Sequence, residues 1–308
     1  MQTTVSDRSF ARYAWGVLAF NVGVVLWGAF VRATGSGAGC GQHWPLCNGD
    51  ILPVAPTLKT IIEFTHRATS GIDLAMVAVL VVWAFRAFPR RHPVRLGAVL
   101  SAVFLMTEAL IGAALVLLEH VAANKSTARG YSLSLHLINT LTLLACLTLT
   151  AWWAMGKPAV RLAGRTAWMA AGSLGLVMLL GVSGAIAALG DTLFPARSLA
   201  EAFAQDFDPA SSIFVRLRVL HPIIAAVAGT WLVFYAVAIA GRRPDLRTRA
   251  WVLLALIGGQ LLAGTANLLL RAPVWMQMVH LLLADALWIS LVILCAGVLK
   301  SDAVLADK

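Results

Sequence analysis

The chain has 308 residues, 60% of them hydrophobic and 12% charged, with a formal net charge of +10. A soluble domain of this length carries about twice that share of charge, so the composition excludes a water-soluble enzyme and requires an integral membrane protein. Nor does the cationic surplus point to nucleic acid: it lies in short loops between apolar runs, and no basic run is interleaved with aromatics.

In chain order, apolar runs at 12–33, 64–86, 96–118, 131–155, 166–189, 213–240, 250–270 and 275–299 predict eight helices. Each is long enough to cross a hydrocarbon core of ~30 Å. The first run lacks a small-residue cleavage site and exceeds a signal-peptide core, so it is expected to be a retained helix. Lys and Arg crowd the loops after the second, fourth and sixth runs and both ends of the chain, which predicts cytoplasmic termini in the cell membrane.

The first outer loop contains "GCGQHWPLCNG", with Cys40 and Cys47 among glycines and a proline that suit a tight turn. Outside the cytoplasm two thiols in such a loop favour a disulfide. A metal site that uses His43 between them is the competing reading, and it needs more ligands than the loop offers. Cys146 and Cys295 lie singly within apolar runs and read as packing.

The second run opens with "IIEFTHRATSG", which places Glu63, His66 and Arg67 within one helical turn. Three more histidines, His136, His221 and His280, fall in the fourth, sixth and eighth runs. Every even-numbered run enters from the outside, and each histidine lies within about two turns of that entry, ~5–12 Å deep at 1.5 Å per residue. Ionisable groups inside membrane spans are rare and functional as a rule. Two imidazoles that face each other across an apolar gap suit a haem iron with two axial ligands, whereas zinc would need more donors than each pair supplies. The anionic propionates of such haems call for cations near the interface. Arg32, Arg67 and Arg129 are candidates in the first half, and Arg216, Arg218 and Arg271 in the second; the plain alternative is that these side chains snorkel to headgroups.

The two halves resemble each other. "GAFVRATGSG" from Gly28 matches "GAIAALGDT" from Gly184 at an offset of 156, and "EALIGAALVLL" from Glu108 matches "QLLAGTANLLL" from Gln260 at 152. The expected fold is therefore an all-α membrane protein of two pseudo-symmetric four-helix bundles, residues 1–156 and 157–308, that run in the same direction. The halves differ where it matters. Glu63 stands three residues before His66, but Arg218 takes that place before His221. A carboxylate one turn from a ligand histidine, in low dielectric, can exchange protons. So the first half is expected to do chemistry and the second to hold a permanent electron-transfer haem. The plain alternative for Glu63 is an i,i+4 pair with Arg67.

"VRATGSGAGC", "HWPLCNG" and "EFTHRATSG" resemble the haem A synthase family. With the spans, the repeat and the four histidines, the resemblance covers essentially the whole chain. It implies an oxidoreductase that converts the C8 methyl of haem O to a formyl group by successive hydroxylation and loss of water, for cytochrome oxidase biogenesis. It also implies that His66 and His136 bind the substrate haem, with Glu63 as the acidic catalytic residue, that His221 and His280 ligate haem b, and that the Cys40–Cys47 pair serves maturation or redox relay. Expected partners are haem O itself, a haem O synthase, an electron acceptor the sequence does not name, and a second copy in a homo-oligomer. Some members carry a second cysteine pair in the outer loop between spans 5 and 6. Here "LGDTLFPARSLAEAFAQDFDPASS" has none, which argues against a mechanism with two outer disulfides. The rival classes are a quinol-linked di-haem b electron carrier and a haem-binding transporter.

Overall fold

A computed structural model describes residues 5–300, and within them eight helices are long and apolar enough to cross a membrane. They are α1 (Val5–Ala33), α2 (Leu58–Ala87), α3 (Pro93–Leu117), α4 (Thr127–Ala154), α5 (Gly164–Leu193), a broken span of α7 (Ile213–Arg218) and α8 (Leu220–Arg242), α9 (Arg247–Leu269) and α10 (Val274–Val298). A short α6 (Leu199–Phe207) lies in the loop before α7. Among the described residues there is no β-strand, only isolated bridges at Cys47–Asp50 and Val160–Lys300. Large apolar side chains face outward along the helices, Phe234 at 70% exposure and Leu262 at 75%. Water would oppose such a surface and lipid accommodates it, so the chain is a multi-pass membrane protein.

Local signals set the helix ends. The Thr57 hydroxyl accepts the Thr60 amide at the start of α2, and Ser126 accepts the Arg129 amide at the start of α4. α2 therefore begins six residues earlier than the apolar run, which places Glu63, His66 and Arg67 within the helix rather than at its mouth. The sixth span breaks at Val219. Pro222 explains the break, since its ring has no N–H to donate and crowds the carbonyl four residues back, that of Arg218. α6 was outside the sequence expectation, although "SLAE" announces it: the Ser198 hydroxyl accepts the Glu201 amide, and Glu201 accepts the Arg197 amide, a close relative of the capping box.

In the first half, α1 packs on α2, α2 on α3, α3 on α4 and α4 on α1, closing a four-helix ring. In the second, α5 packs on α8, α8 on α9, α9 on α10 and α10 on α5. The halves meet through α1 against α10, α4 against α5, and α4 against α10. Exchanging the halves maps the first of these contacts onto the second and the third onto itself, a pattern compatible with two pseudo-symmetric bundles. A buried hydrogen bond of 2.7 Å from the Trp288 indole to the Leu141 carbonyl ties α10 to α4 at this seam.

The apolar core lies towards one end of the helices. Leu80, Leu144, Leu147, Leu253, Trp288 and Leu291 are almost fully buried there. Around each span histidine the packing is different: no residue of 64–72, 131–138, 216–227 or 277–284 is buried. Four helices thus share a loosely filled level, and all four histidines lie on it.

Candidate functional site

His221 and His280 face each other with ring centroids 6.5 Å apart and planes at 87°. Imidazole nitrogens bind first-row metals at ~2.0–2.1 Å. With roughly 1 Å from each such nitrogen to its ring centre, a shared metal puts the centroids about 6 Å apart, close to the observed spacing. The Ser183 hydroxyl lies 3.0 Å from His221 Nδ1, which leaves Nε2 for a ligand. Nδ1 of His280 is buried without a hydrogen-bond partner.

In the first half His66 stands within electrostatic reach of His136 and Glu108. Nδ1 of His66 is buried without a partner. His136 Nδ1 approaches Glu108 Oε1 at 3.3 Å, too poorly aligned to count as a hydrogen bond. Among the described residues no ring contact like that of His221 and His280 joins His66 and His136.

Glycines make room for three of these rings. A methyl group on Gly28 would stand 2.9 Å from His66 Cε1, one on Gly184 would stand 3.0 Å from His221 Cε1, and one on Gly264 would stand 3.0 Å from His280 Cε1. Gly28 and Gly184 are repeat partners, so the two halves use one device: a helix with no side chain where the neighbouring histidine must lie. At Gly112, the repeat partner of Gly264, no atom comes within 4 Å, and His136 turns towards Glu108 instead. The facing rings of His221 and His280 and the glycine cradles beside three of the four histidines fit haem ligated by histidine.

Glu63 is buried, and both of its oxygens are engaged. Oε1 pairs with Arg67 at 2.5 Å and Oε2 accepts the Cys40 amide at 2.8 Å. Arg67 also donates to the carbonyls of His43 and Leu46. The i,i+4 pair is therefore formed, and it does more than neutralise a charge: Glu63 and Arg67 together clamp the loop between α1 and α2 onto α2. Cys40 and Cys47 form a disulfide with a 2.03 Å S–S bond. The loop comes so close that a methyl on Gly39 would strike the backbone of Lys59 and Thr60.

The six arginines have different surroundings. Arg32 reaches across the seam and donates to the Ala188 carbonyl, the Thr192 hydroxyl and the Gln277 side-chain carbonyl. Arg129 donates to the carbonyls of Ala122 and Asn124 and so holds the loop before α4. Arg218 pairs with Asp191 and Asp206, and Arg271 donates to the Arg197 carbonyl. Arg67 holds the first loop, and Arg216 is exposed with no side-chain bond among the described residues. The sequence reading missed the glycine cradles, although Gly28 and Gly184 open one repeat segment and Gly264 lies within the other, and it gave Glu108 no role beside a histidine.

A family model described as cytochrome oxidase assembly protein (COX15-CtaA) matches residues 11–292. The chain belongs to this family. It is 53% identical over 307 residues, 98% of its own length, to a Thermus thermophilus protein named "Protoheme IX farnesyltransferase", of which it covers 50%. It is also similar to proteins named "Heme A synthase": 39% identical over 123 residues to one from Halalkalibacterium halodurans (40% of this chain, 41% of that protein), and 44% over 110 residues to one from Geobacillus kaustophilus (36% and 35%). The chain thus spans about half the length of the Thermus relative and shares shorter segments with the others.

Proposed function

We propose that the protein is a haem A synthase that oxidises the C8 methyl of haem O to a formyl group. The observation that carries this reading is the set of four span histidines, three of them cradled by glycine, on one loosely packed level of two four-helix rings, in a member of a cytochrome oxidase assembly family. Relatives named for haem A synthesis support the same chemistry. The farnesyltransferase name belongs to a chain twice as long, half of which has no counterpart here.

In this reading His66 and His136 hold the substrate haem, and His221 and His280 hold a resident haem b. When bound, haem b supplies a one-electron relay. The substrate methyl becomes a primary alcohol, then a geminal diol, which loses water to leave the aldehyde. With water as the oxygen donor the overall change is R–CH3 + H2O → R–CHO with release of four protons and four electrons, and the electrons pass to an acceptor. Glu63 is the residue proposed to hold or move a proton beside the first pair, with Arg67 and the Cys40 amide fixing its two oxygens. Cationic side chains near the outer ends of the helices are proposed to meet the propionates. Arg216, whose guanidinium makes no hydrogen bond among the described residues, is the freest of these. A haem O synthase as supplier and a homo-oligomer as assembly belong to the same proposal.

The test is co-expression with a farnesylating haem O synthase, followed by chromatography of the extracted haems. The reading expects haem A to accumulate only when both proteins are present. A pigment that remains haem b throughout would instead indicate the di-haem electron carrier.

A further inference from the structure

The repeat places a polar side chain of the third helix of each half beside a histidine of the fourth, but the two contacts are chemically different. Glu108 presents a carboxylate oxygen 3.3 Å from His136 Nδ1, the ring nitrogen farther from the side-chain tip. Gln260 presents its amide nitrogen 3.4 Å from His280 Nε2, at the tip. His221 has a hydroxyl behind it, that of Ser183. Of the four histidines, only His136 has a carboxylate at Nδ1. Glu108 is itself held in place: the Asn139 amide donates to Oε2 at 2.6 Å and the Thr140 hydroxyl donates to Oε1. Asn139 is fixed in turn by Thr107 and the Phe104 carbonyl. α3 and α4 thus carry a polar network whose last member points at the back of a ligand histidine.

We propose that Glu108 is a positioning residue: 3.3 Å from His136 Nδ1 but not yet aligned with it, it takes the Nδ1–H as acceptor when the ring turns onto a bound haem, and so makes Nε2 a stronger donor to the substrate iron than any other ligand in the molecule. An acceptor behind a metal-bound imidazole fixes its tautomer and raises its basicity, and a carboxylate does so most strongly. More donation favours ferric over ferrous iron, so the network would set the substrate haem apart electronically from its neighbour in the second half. The inference rests on the reading that His136 ligates the substrate haem.

The test uses full-length protein loaded with haem O by co-expression with a haem O synthase, and spectroscopic redox titration of both haems. Glu108→Gln should retain haem O but raise the ferrous-to-ferric ratio of the first site about tenfold at a fixed ambient potential, ~59 mV for a one-electron couple. The second haem should not move. Thr140→Val removes a competing donor from Oε1 and should shift the first site the opposite way, which also covers the case that Glu108→Gln does not fold. Unchanged potentials, or shifts of the same sign in both variants, would overturn the proposal. His136→Ala checks the reading beneath it: first-site haem O with an unaltered ligand-field spectrum would show that His136 is not a ligand, a different failure from a wrong role for Glu108.

Discussion

Glu63 is a residue with two attachments. It bonds the disulfide loop through Cys40 and the next helical turn through Arg67. Glu63→Gln keeps an acceptor for the Cys40 amide and loses only the charge. Haem b content should stay near that of the unaltered protein while formyl production falls ~100-fold or more, the scale of a lost general acid or base. Extracted-haem chromatography reads both, and normal haem A yield would exclude the catalytic role. The histidines should separate into two classes. Replacing His221 or His280 should abolish the b-type absorbance of the purified protein. Replacing His66 or His136 should leave most of it and stop turnover. Equal loss of haem b from the His66 and His221 variants would show that the two halves are wrongly assigned. That His221 and His280 would face each other across two helices was legible in the sequence, because periodicity and depth can be counted along the chain. The docking of Glu63 on Cys40 was not, because loop geometry decides which backbone amide a carboxylate meets.

The loop between α1 and α2 is an element held by side chains as well as by its disulfide. Arg67 donates to the carbonyls of His43 and Leu46, both within the ring that Cys40 and Cys47 close. Cys40→Ser should therefore leave the loop docked, with little change in thermal stability in detergent but altered activity or haem loading. Arg67→Leu should be the more destabilising change. It strands Glu63 in a buried position without its cation, and breaking such a pair costs about 3–5 kcal/mol. A thermal scan that ranks the two the other way would mean that the disulfide, not the clamp, holds the loop. Helix existence was plain in the sequence, since a run of about twenty apolar residues has few other fates. The break at Val219 and the surface helix α6 needed a reading of Pro222 and of "SLAE" as local chemistry within stretches that hydropathy alone treats as uniform.

At the scale of the molecule, the two four-helix rings meet over a seam that combines apolar packing with the Trp288–Leu141 bond and the three bonds of Arg32. The connecting segment ends against α10, where the Arg161 amide donates to the Leu299 carbonyl at 2.8 Å. If the chain is divided within residues 157–163 and the halves are co-expressed, they should copurify. Arg32→Met should weaken that association, because hydrogen bonds to a charged group contribute roughly 1.5–3 kcal/mol each. Copurification unaffected by Arg32→Met would assign the seam to its apolar contacts alone. The repeat that predicts this two-part build is visible in the sequence at two short segments. The way the rings face each other is not, since nothing in either segment says which helices lie at the seam.

Arg32 bonds the main-chain oxygen of Ala188, and Ala188 is the residue that the repeat assigns to Arg32's own place in the other half. A side chain that touches its own counterpart lies close to the axis that relates the halves. Near such an axis two equivalent groups would compete for the same volume, and two guanidinium groups would repel there as well as collide. A protein assembled from two identical copies could not have kept arginine at both positions. Departure from symmetry at this point therefore follows from the way the halves are joined, whatever either half binds.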